Sequence, residues 1–197
     1  MRSTHNIEQK WFHFFELLDD NRDDVLMPED FERIAARLAE KRGFPSNHSV
    51  TKLYIQRARR FYDEMLVETG VSAIRAFQKG LTRRRWAVFM ENILSSAEDS
   101  KAFRKFIGFF VSTVFTVFDR DGNGVIDRSE YDEIMEVLFI NENGQSKGFE
   151  ALDENGDGFI SKKEFINGFI AYFTDERLTK YNYIFGEFRK SKFQFAS

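Results

Sequence analysis

The 197-residue chain contains no cysteine, two prolines and three histidines. Without cysteine it forms neither disulfides nor thiolate metal sites. No window approaches the roughly 18 apolar residues of a membrane span, and the N-terminus has no apolar run of signal-peptide length. The net charge of −3 argues against nucleic acid as the main partner. We therefore expect a soluble protein of a reducing compartment, the cytoplasm, without a membrane span.

Apolar residues are abundant, at 42% of the chain, and they include 24 phenylalanines. They recur at helical spacing, which, with so few prolines, predicts a mostly helical chain with a Phe-rich core. A Phe-lined cavity for an apolar ligand is the alternative interpretation. The pattern predicts helices near residues 6–18, 31–38, 50–68, 81–94, 101–118, 128–138, 145–152 and 162–172. In the third of these, Leu53, Phe61 and Met65 are expected to point inward.

Two twelve-residue stretches, "DRDGNGVIDRSE" (119–130) and "DENGDGFISKKE" (153–164), match the full D-x-[DN]-x-[DN]-G-x₅-E pattern of an EF-hand calcium loop. Calcium takes six to eight oxygen ligands, so such a loop wraps its oxygens around one point. Asp127 and Ser161, at position 9, are expected to act through water. The predicted ligands are Asp119, Asp121, Asn123, the Val125 carbonyl and Glu130 in one loop, and Asp153, Asn155, Asp157, the Phe159 carbonyl and Glu164 in the other.

Position 8 of each loop holds an isoleucine, Ile126 or Ile160, and the loops start 34 residues apart. That distance leaves room for a helix, a short linker and a second helix. We therefore predict that the two loops pair back to back through a short two-stranded contact.

The same twelve-position numbering, called the loop frame below, also fits "DDNRDDVLMPED", residues 19–30, with Leu26 at position 8. Its two departures are Asp24 in place of the turn glycine and Asp30 in place of the closing glutamate. Because aspartate is one methylene shorter, it favours six-fold coordination and hence Mg²⁺. The loop either binds Ca²⁺ or Mg²⁺ or is structural only. Its candidate ligands are Asp19, Asn21, Asp23, the Val25 carbonyl and Asp30.

The partner of this first loop is predicted at 74–85, "IRAFQKGLTRRR", with Leu81 at position 8. This stretch has no carboxylate, and Arg85 stands where a closing glutamate would, so we predict that it binds no metal. The arginines at 83–85 are interpreted as a solvated helix start that neutralises the acidic neighbouring loop. A phosphate or membrane contact is the alternative.

The fold class that follows is all-α: four helix-loop-helix units in two packed lobes, each with a short two-stranded loop pairing. We place the N-terminal lobe at 1–95 and the C-terminal lobe at 96–197, with "SSAEDSK" (95–101) as the hinge. The C-terminal segment carries too much apolar surface for a free tail and is expected to pack on the body.

This layout, with a silent second loop, an Asp-closed first loop and the "IFG" of the terminal segment, resembles the invertebrate sarcoplasmic calcium-binding proteins. The resemblance implies a compact pair of lobes and a cytosolic Ca²⁺/Mg²⁺ buffer. That group is similar to calexcitins and to coelenterazine-binding proteins and photoproteins, so a calcium sensor and a carrier of an apolar ligand such as a luciferin are alternatives. The five scattered methionines favour a buffer over a Met-lined sensor groove. With no catalytic constellation in the sequence, we expect a monomeric, non-enzymatic protein whose protein partner, if any, is unknown.

Overall fold

The computed structural model describes residues 3–68, 80–94 and 101–186. Eight α-helices, two antiparallel strand pairs and a 3₁₀ turn at Lys180–Tyr183 make up this part of the chain. The helices are α1 Ser3–Leu18, α2 Pro28–Lys41, α3 Ser49–Glu68, α4 Arg83–Leu94, α5 Lys101–Phe118, α6 Arg128–Val137, α7 Glu142–Leu152 and α8 Lys162–Thr174. The strands are β1 Val25–Leu26, β2 Leu81–Thr82, β3 Val125–Asp127 and β4 Phe159–Ser161.

Helix α7 begins three residues earlier than the periodicity predicts, because Asn141 caps it. The Asn141 side chain accepts a hydrogen bond from the Gly144 N–H at 3.0 Å, which satisfies a donor at the helix start. A second correction concerns Leu53 on α3, which was expected to point inward and is 42% exposed. Phe61 is half-buried and Met65 is buried, as expected for the same helix.

The strand pairs join the loops two by two. β1 pairs with β2 so that Leu26 faces Leu81, and β3 pairs with β4 so that Ile126 faces Ile160. These are the position-8 contacts that the loop frame predicts, and all four side chains are fully buried. The pairing therefore places loop 19–30 beside the described end of 74–85, and loop 119–130 beside 153–164.

Helix α1 connects the two ends of the chain. The Trp11 indole donates to the Phe173 carbonyl at 3.4 Å, and the Trp86 indole of α4 donates to the Trp11 carbonyl at 2.8 Å. The Tyr172 hydroxyl donates to the Lys10 carbonyl, and the buried Lys10 ammonium donates to the Asp175 carbonyl at 2.6 Å. These buried polar groups have fixed partners, so they hold α1, α4, α8 and Asp175, which follows α8, in one arrangement.

The end of the described chain packs on this body. Ile184 and Phe185 are buried, and their carbonyls accept hydrogen bonds from the Tyr131 hydroxyl at 2.8 Å and the His13 Nε2–H at 2.9 Å. Burial lowers the pKa of His13 below its ordinary value, although the Phe185 carbonyl and Glu16 oppose that effect.

An ion pair provides a second connection between the N-terminal and C-terminal parts of the chain. Arg42, which follows α2, binds Glu133 of α6 at 2.8 Å, and both side chains are less than a tenth exposed. The same guanidinium donates to the Tyr54 hydroxyl at 3.0 Å and to the Val117 carbonyl at 2.9 Å. One arginine thus joins α2, α3, α5 and α6.

Apolar side chains of α2, α3, α5 and α8 surround a cavity of about 640 Å³. Aromatic rings line much of it, including Phe31, Phe61, Phe110 and Phe169, while the exposed Arg57 and Arg60 stand at its rim. Within the described ranges, none of the helices combines the length and apolar character that crossing a bilayer requires.

Candidate metal centres

Loop 119–130 brings three of its predicted ligands together. Oxygens of Asp119, Asp121 and Glu130 all lie within 4.8 Å of one another. Asp119 Oδ1 is buried without a hydrogen-bond partner, while Oδ2 accepts the Gly124 N–H at 3.0 Å. An unpaired buried carboxylate oxygen is costly, and a hard cation at the loop centre would satisfy it. The residues present therefore fit a calcium ion.

The closing glutamates are held in the same way in both complete loops. Glu130 accepts the Arg120 N–H at 2.9 Å on one oxygen and the Asp127 N–H at 3.0 Å on the other. Glu164 accepts the Glu154 N–H at 3.0 Å and the Ser161 N–H at 2.8 Å. Each carboxylate thus bridges the two ends of its loop, where both of its oxygens can face an ion.

Hydrogen bonds keep Glu164 in its charged form. Burial by itself would raise the pKa of its carboxyl, but bonds from the Ser161 hydroxyl and N–H and from the Glu154 and Asn155 N–H groups lower it below the ordinary value. The charged carboxylate is the form that binds a divalent cation.

The remaining predicted side-chain ligands hold the loops in shape. Position 5 accepts the N–H of position 7 in each: Asn123 from Val125 and Asp157 from Phe159, both at 2.9 Å. Asp153 accepts the Gly158 N–H at 3.0 Å, as Asp119 does from Gly124. Asn155 accepts the Asp157 N–H at 2.9 Å, and Asp121 accepts the Asn123 N–H at 3.0 Å.

Left-handed backbone occurs at two positions of each loop, not one. Position 6 has φ of 87° at Gly124 and 84° at Gly158, and position 4 has φ of 73° at Gly122 and 71° at Gly156. Sequence reasoning identified position 6 and missed position 4, although a glycine stands there in both complete loops. Glycine adopts this conformation without the steric cost of a side chain.

The first loop adopts the same backbone without glycine. Arg22 and Asp24, its positions 4 and 6, have φ of 59° and 64°. Asp19 accepts the Asp24 N–H at 2.9 Å, and Asp23 accepts the Val25 N–H at 2.9 Å, so the first half of the loop matches the complete loops. Asp24 therefore adopts the left-handed turn conformation for which the complete loops use glycine.

The closing end of the first loop differs. Asp30 is fully buried, and its Oδ2 accepts the Met27 N–H at 2.7 Å. Its Oδ1 forms an ion pair with Arg33, one turn further along α2. Burial raises the pKa of Asp30, although hydrogen bonds and Arg33 oppose that effect. Sequence reasoning missed Arg33; the available signal is that position 15 is basic here but is Glu133 and Asn167 in the complete loops.

Residues 74–79 of the second loop lie outside the described ranges, and residues 80–85 carry no acidic side chain. Arg85 donates to the Gly80 carbonyl at 3.3 Å. Arg83 binds Asp24 of the first loop at 2.8 Å and Glu16 of α1 at 2.9 Å. The interpretation of this basic run as a neutralising partner of the acidic loop is confirmed for Arg83.

Comparison with known proteins agrees with this geometry. The family model described as EF hand matches residues 110–135 and 147–170, the helices and loops of the two complete sites. Guanylyl cyclase-activating protein 2 of Lithobates pipiens is 39% identical over 71 residues, and the match covers 27% of this chain and 36% of that protein. The chain thus spans about a third of the length of the curated relatives it matches.

Solved structures share the fold over almost the whole chain. The calcium-loaded apo form of coelenterazine-binding protein from Renilla muelleri superposes with a TM-score of 0.71 at 19% identity, covering 94% of this chain and 97% of that one. A sarcoplasmic calcium-binding protein from amphioxus gives a TM-score of 0.63 at 14% identity, with 93% and 97% covered. The chain therefore has the all-α fold of these structures, and its two complete loops lie in the segments that match the EF hand model.

Proposed function

We propose that the protein is a Ca²⁺/Mg²⁺ buffer that binds calcium at loops 119–130 and 153–164. The observation that carries this proposal is the buried Asp119 oxygen without a partner, in a loop where Asp119, Asp121 and Glu130 bring carboxylate oxygens within 4.8 Å of one another. The pattern of bonds around Glu164 gives loop 153–164 an equivalent closing carboxylate.

A buffer requires ion sites on a body that stays closed, whereas a sensor exposes an apolar groove when calcium binds. The bonds from Trp11 to Phe173 of α8 and from Lys10 to Asp175, together with the ion pair of Arg42 and Glu133, support a body that stays closed. We propose that this body is a cytoplasmic monomer without catalytic activity, with lobes at 1–95 and 96–197.

We propose loop 19–30 as a third, weaker site. Asp19, Asn21 and Asp23 are arranged as in the complete loops, but Asp30 is shorter than glutamate and already has a cationic partner. Fewer available oxygens favour Mg²⁺, which retains several waters in its octahedral shell.

Calorimetric titration of single variants tests the two strong sites. Glu130→Gln and Glu164→Gln each retain the side-chain shape but remove the closing charge, so each is expected to abolish one strong binding event. Glu29→Gln is the matched control, because Glu29 is an exposed carboxylate that the loop frame leaves out of the first site. If either loop variant binds calcium as the wild type does, that loop is not a site.

A fluorescent dye that binds apolar surface separates buffer from sensor. The buffer proposal expects little change in dye fluorescence when calcium is added to the calcium-free protein. A large increase would favour a calcium sensor instead.

The cavity supports a second candidate function, the carriage of an apolar ligand. At about 640 Å³ it lies within the usual size range of small-molecule pockets, and most of its lining side chains are apolar, many of them aromatic. Native mass spectrometry of protein purified without denaturation would show a stoichiometric extra mass if a ligand is carried. Val114→Trp, which adds bulk at the cavity wall, should then remove that mass while leaving calcium binding intact.

A further inference from the structure

Positions 2 and 15 of the loop frame form an ion pair in two of the loops, with opposite arrangement of charge. In the first loop, Asp20 at position 2 binds Arg33 at position 15, with Nε and Oδ2 2.8 Å apart. In loop 119–130, Arg120 at position 2 and Glu133 at position 15 are 3.6 Å apart. In loop 153–164, position 15 is the exposed and uncharged Asn167.

The arrangement of charge decides what lies beside the closing carboxylate. Position 15 is one helical turn after position 12, so its side chain can reach the carboxylate there. In the first loop that side chain is a guanidinium, and it contacts both Asp20 and the fully buried Asp30. In loop 119–130 the positive member lies at position 2 instead, and the two oxygens of Glu130 receive backbone N–H groups.

We propose that Arg33 is a built-in counter-cation of the first loop, and that it determines how weakly this loop binds a divalent ion. The inference rests on the proposed third site at 19–30. An incoming ion must compete for the Asp30 oxygen that Arg33 holds, so binding comes at the expense of this ion pair. Arg33 also supplies positive charge to Asp20 and Asp30 when no ion is bound, which keeps the loop folded in that state.

The physical basis is a competition between one fixed charge and one mobile charge for the same carboxylate. The guanidinium attracts the buried Asp30 carboxylate, although Arg33 is 40% exposed and water screens part of this attraction. If the guanidinium stays beside a bound Ca²⁺, it adds repulsion between like charges. The number of uncompensated ligand charges is a main determinant of calcium affinity in such loops. Removing the charge at position 15 therefore strengthens ion binding while weakening the ion-free fold.

The test is a calorimetric titration of full-length variants with Ca²⁺ and, separately, with Mg²⁺. Arg33→Asn installs the residue of loop 153–164, and the double variant Asp20→Arg/Arg33→Glu installs the charge arrangement of loop 119–130. Arg37→Asn is the matched control. Arg37 lies on the same helix and binds Asp20 at 2.6 Å, and its other described contacts lead away from the loop, to the Val137 carbonyl and the Phe139 ring.

Arg33→Asn and the double variant are expected to tighten the third, weak binding event by roughly tenfold or more, and Arg37→Asn by much less. Thermal melting supplies a readout that a merely structural role would not produce. Both Arg33 variants should melt lower than wild type in chelator, yet gain more than wild type when calcium is added.

A third event that stays equally weak, weakens or never occurs in both Arg33 variants would overturn the inference. An equal gain in Arg37→Asn would also overturn it, because the effect would then be a general change in net charge. The two strong events are scored separately in the same titrations. Their absence from the wild type would overturn the proposed function instead.

Discussion

The ion pair between Arg42 and Glu133 is expected to be a main support of the joined halves, so replacing Arg42 by methionine should destabilise the protein markedly. Removing one member of a buried ion pair costs about 3–5 kcal/mol, because the other charge is left buried and unpaired. Here Arg120 stays 3.6 Å from Glu133 and compensates in part. The Tyr54 hydroxyl and the Val117 carbonyl also lose a hydrogen-bond donor.

We therefore expect Arg42→Met to lower the free energy of unfolding by about 2–4 kcal/mol, measured by urea denaturation in saturating calcium. For a chain of this size, the same loss lowers the melting temperature by roughly 2–4 °C per kcal/mol. Arg59→Met is the matched control, because Arg59 is 56% exposed in its pair with Glu32. Pairs of that kind contribute about 0–1 kcal/mol.

The double variant Arg42→Met/Glu133→Gln makes the test specific to the pair. Once Arg42 is gone, removing the remaining charge should cost little or restore stability, so the two changes should be strongly non-additive. The reasoning is refuted if Arg42→Met destabilises no more than Arg59→Met, or if the two changes at the pair simply add.

Three further predictions concern glycine, histidine and the closing carboxylate. Gly148→Ala should lower the free energy of unfolding more than Gly43→Ala, as measured by denaturant titration. A Cβ at position 148 would lie 2.1 Å from the Tyr131 hydroxyl oxygen and 2.7 Å from the Tyr183 carbonyl oxygen. A Cβ at position 43 would meet open space, and the only cost there is the left-handed φ of 83°. Equal losses would contradict the packing described around α7. The lowered pKa of His13 means that the unfolded chain binds more protons, so stability should fall as pH drops below about 6.5. His13→Gln should flatten this fall and the exposed His48→Gln should not; parallel pH profiles for wild type and His13→Gln would show that the ring is not held neutral. Glu164→Asp should weaken calcium more than magnesium at loop 153–164 in calorimetry, since the shorter carboxylate reaches the ion less easily with both oxygens. An unchanged preference would remove the argument made for Asp30.

The loops and their pairing could be predicted from the sequence. The chemistry of the ligands fixes the spacing of the acidic residues, and the position numbering of each loop then fixes which residues pair. The spacing of Asp119, Asn123 and Glu130 is set by how a twelve-residue loop surrounds an ion. The register of Leu26 with Leu81 follows from the same frame, even though residues 74–85 contain no acidic side chain. Helix starts were less predictable: α7 begins at an asparagine cap inside "NENG", a sequence that otherwise favours a break.

Contacts between side chains that are far apart in the sequence could not be predicted from it. Nothing local indicates that Arg42 pairs with Glu133, 91 residues away. The sequence does not settle the presence of the cavity either. Aromatic residues at helical spacing can fill a core or border a cavity, and which of the two occurs depends on how the helices pack. Arg33 lies between these cases. It is only three residues from Asp30, yet its role is recognised only by comparison with the other loops.

The most direct test of the central claim is a calorimetric titration of the calcium-free wild-type chain with Ca²⁺, repeated in millimolar Mg²⁺. The account predicts two tight calcium events that persist in magnesium, and a third, weaker event that magnesium suppresses. Fewer than two tight events would contradict the assignment of loops 119–130 and 153–164. Three equally tight events would contradict the weak first site and the role proposed for Arg33.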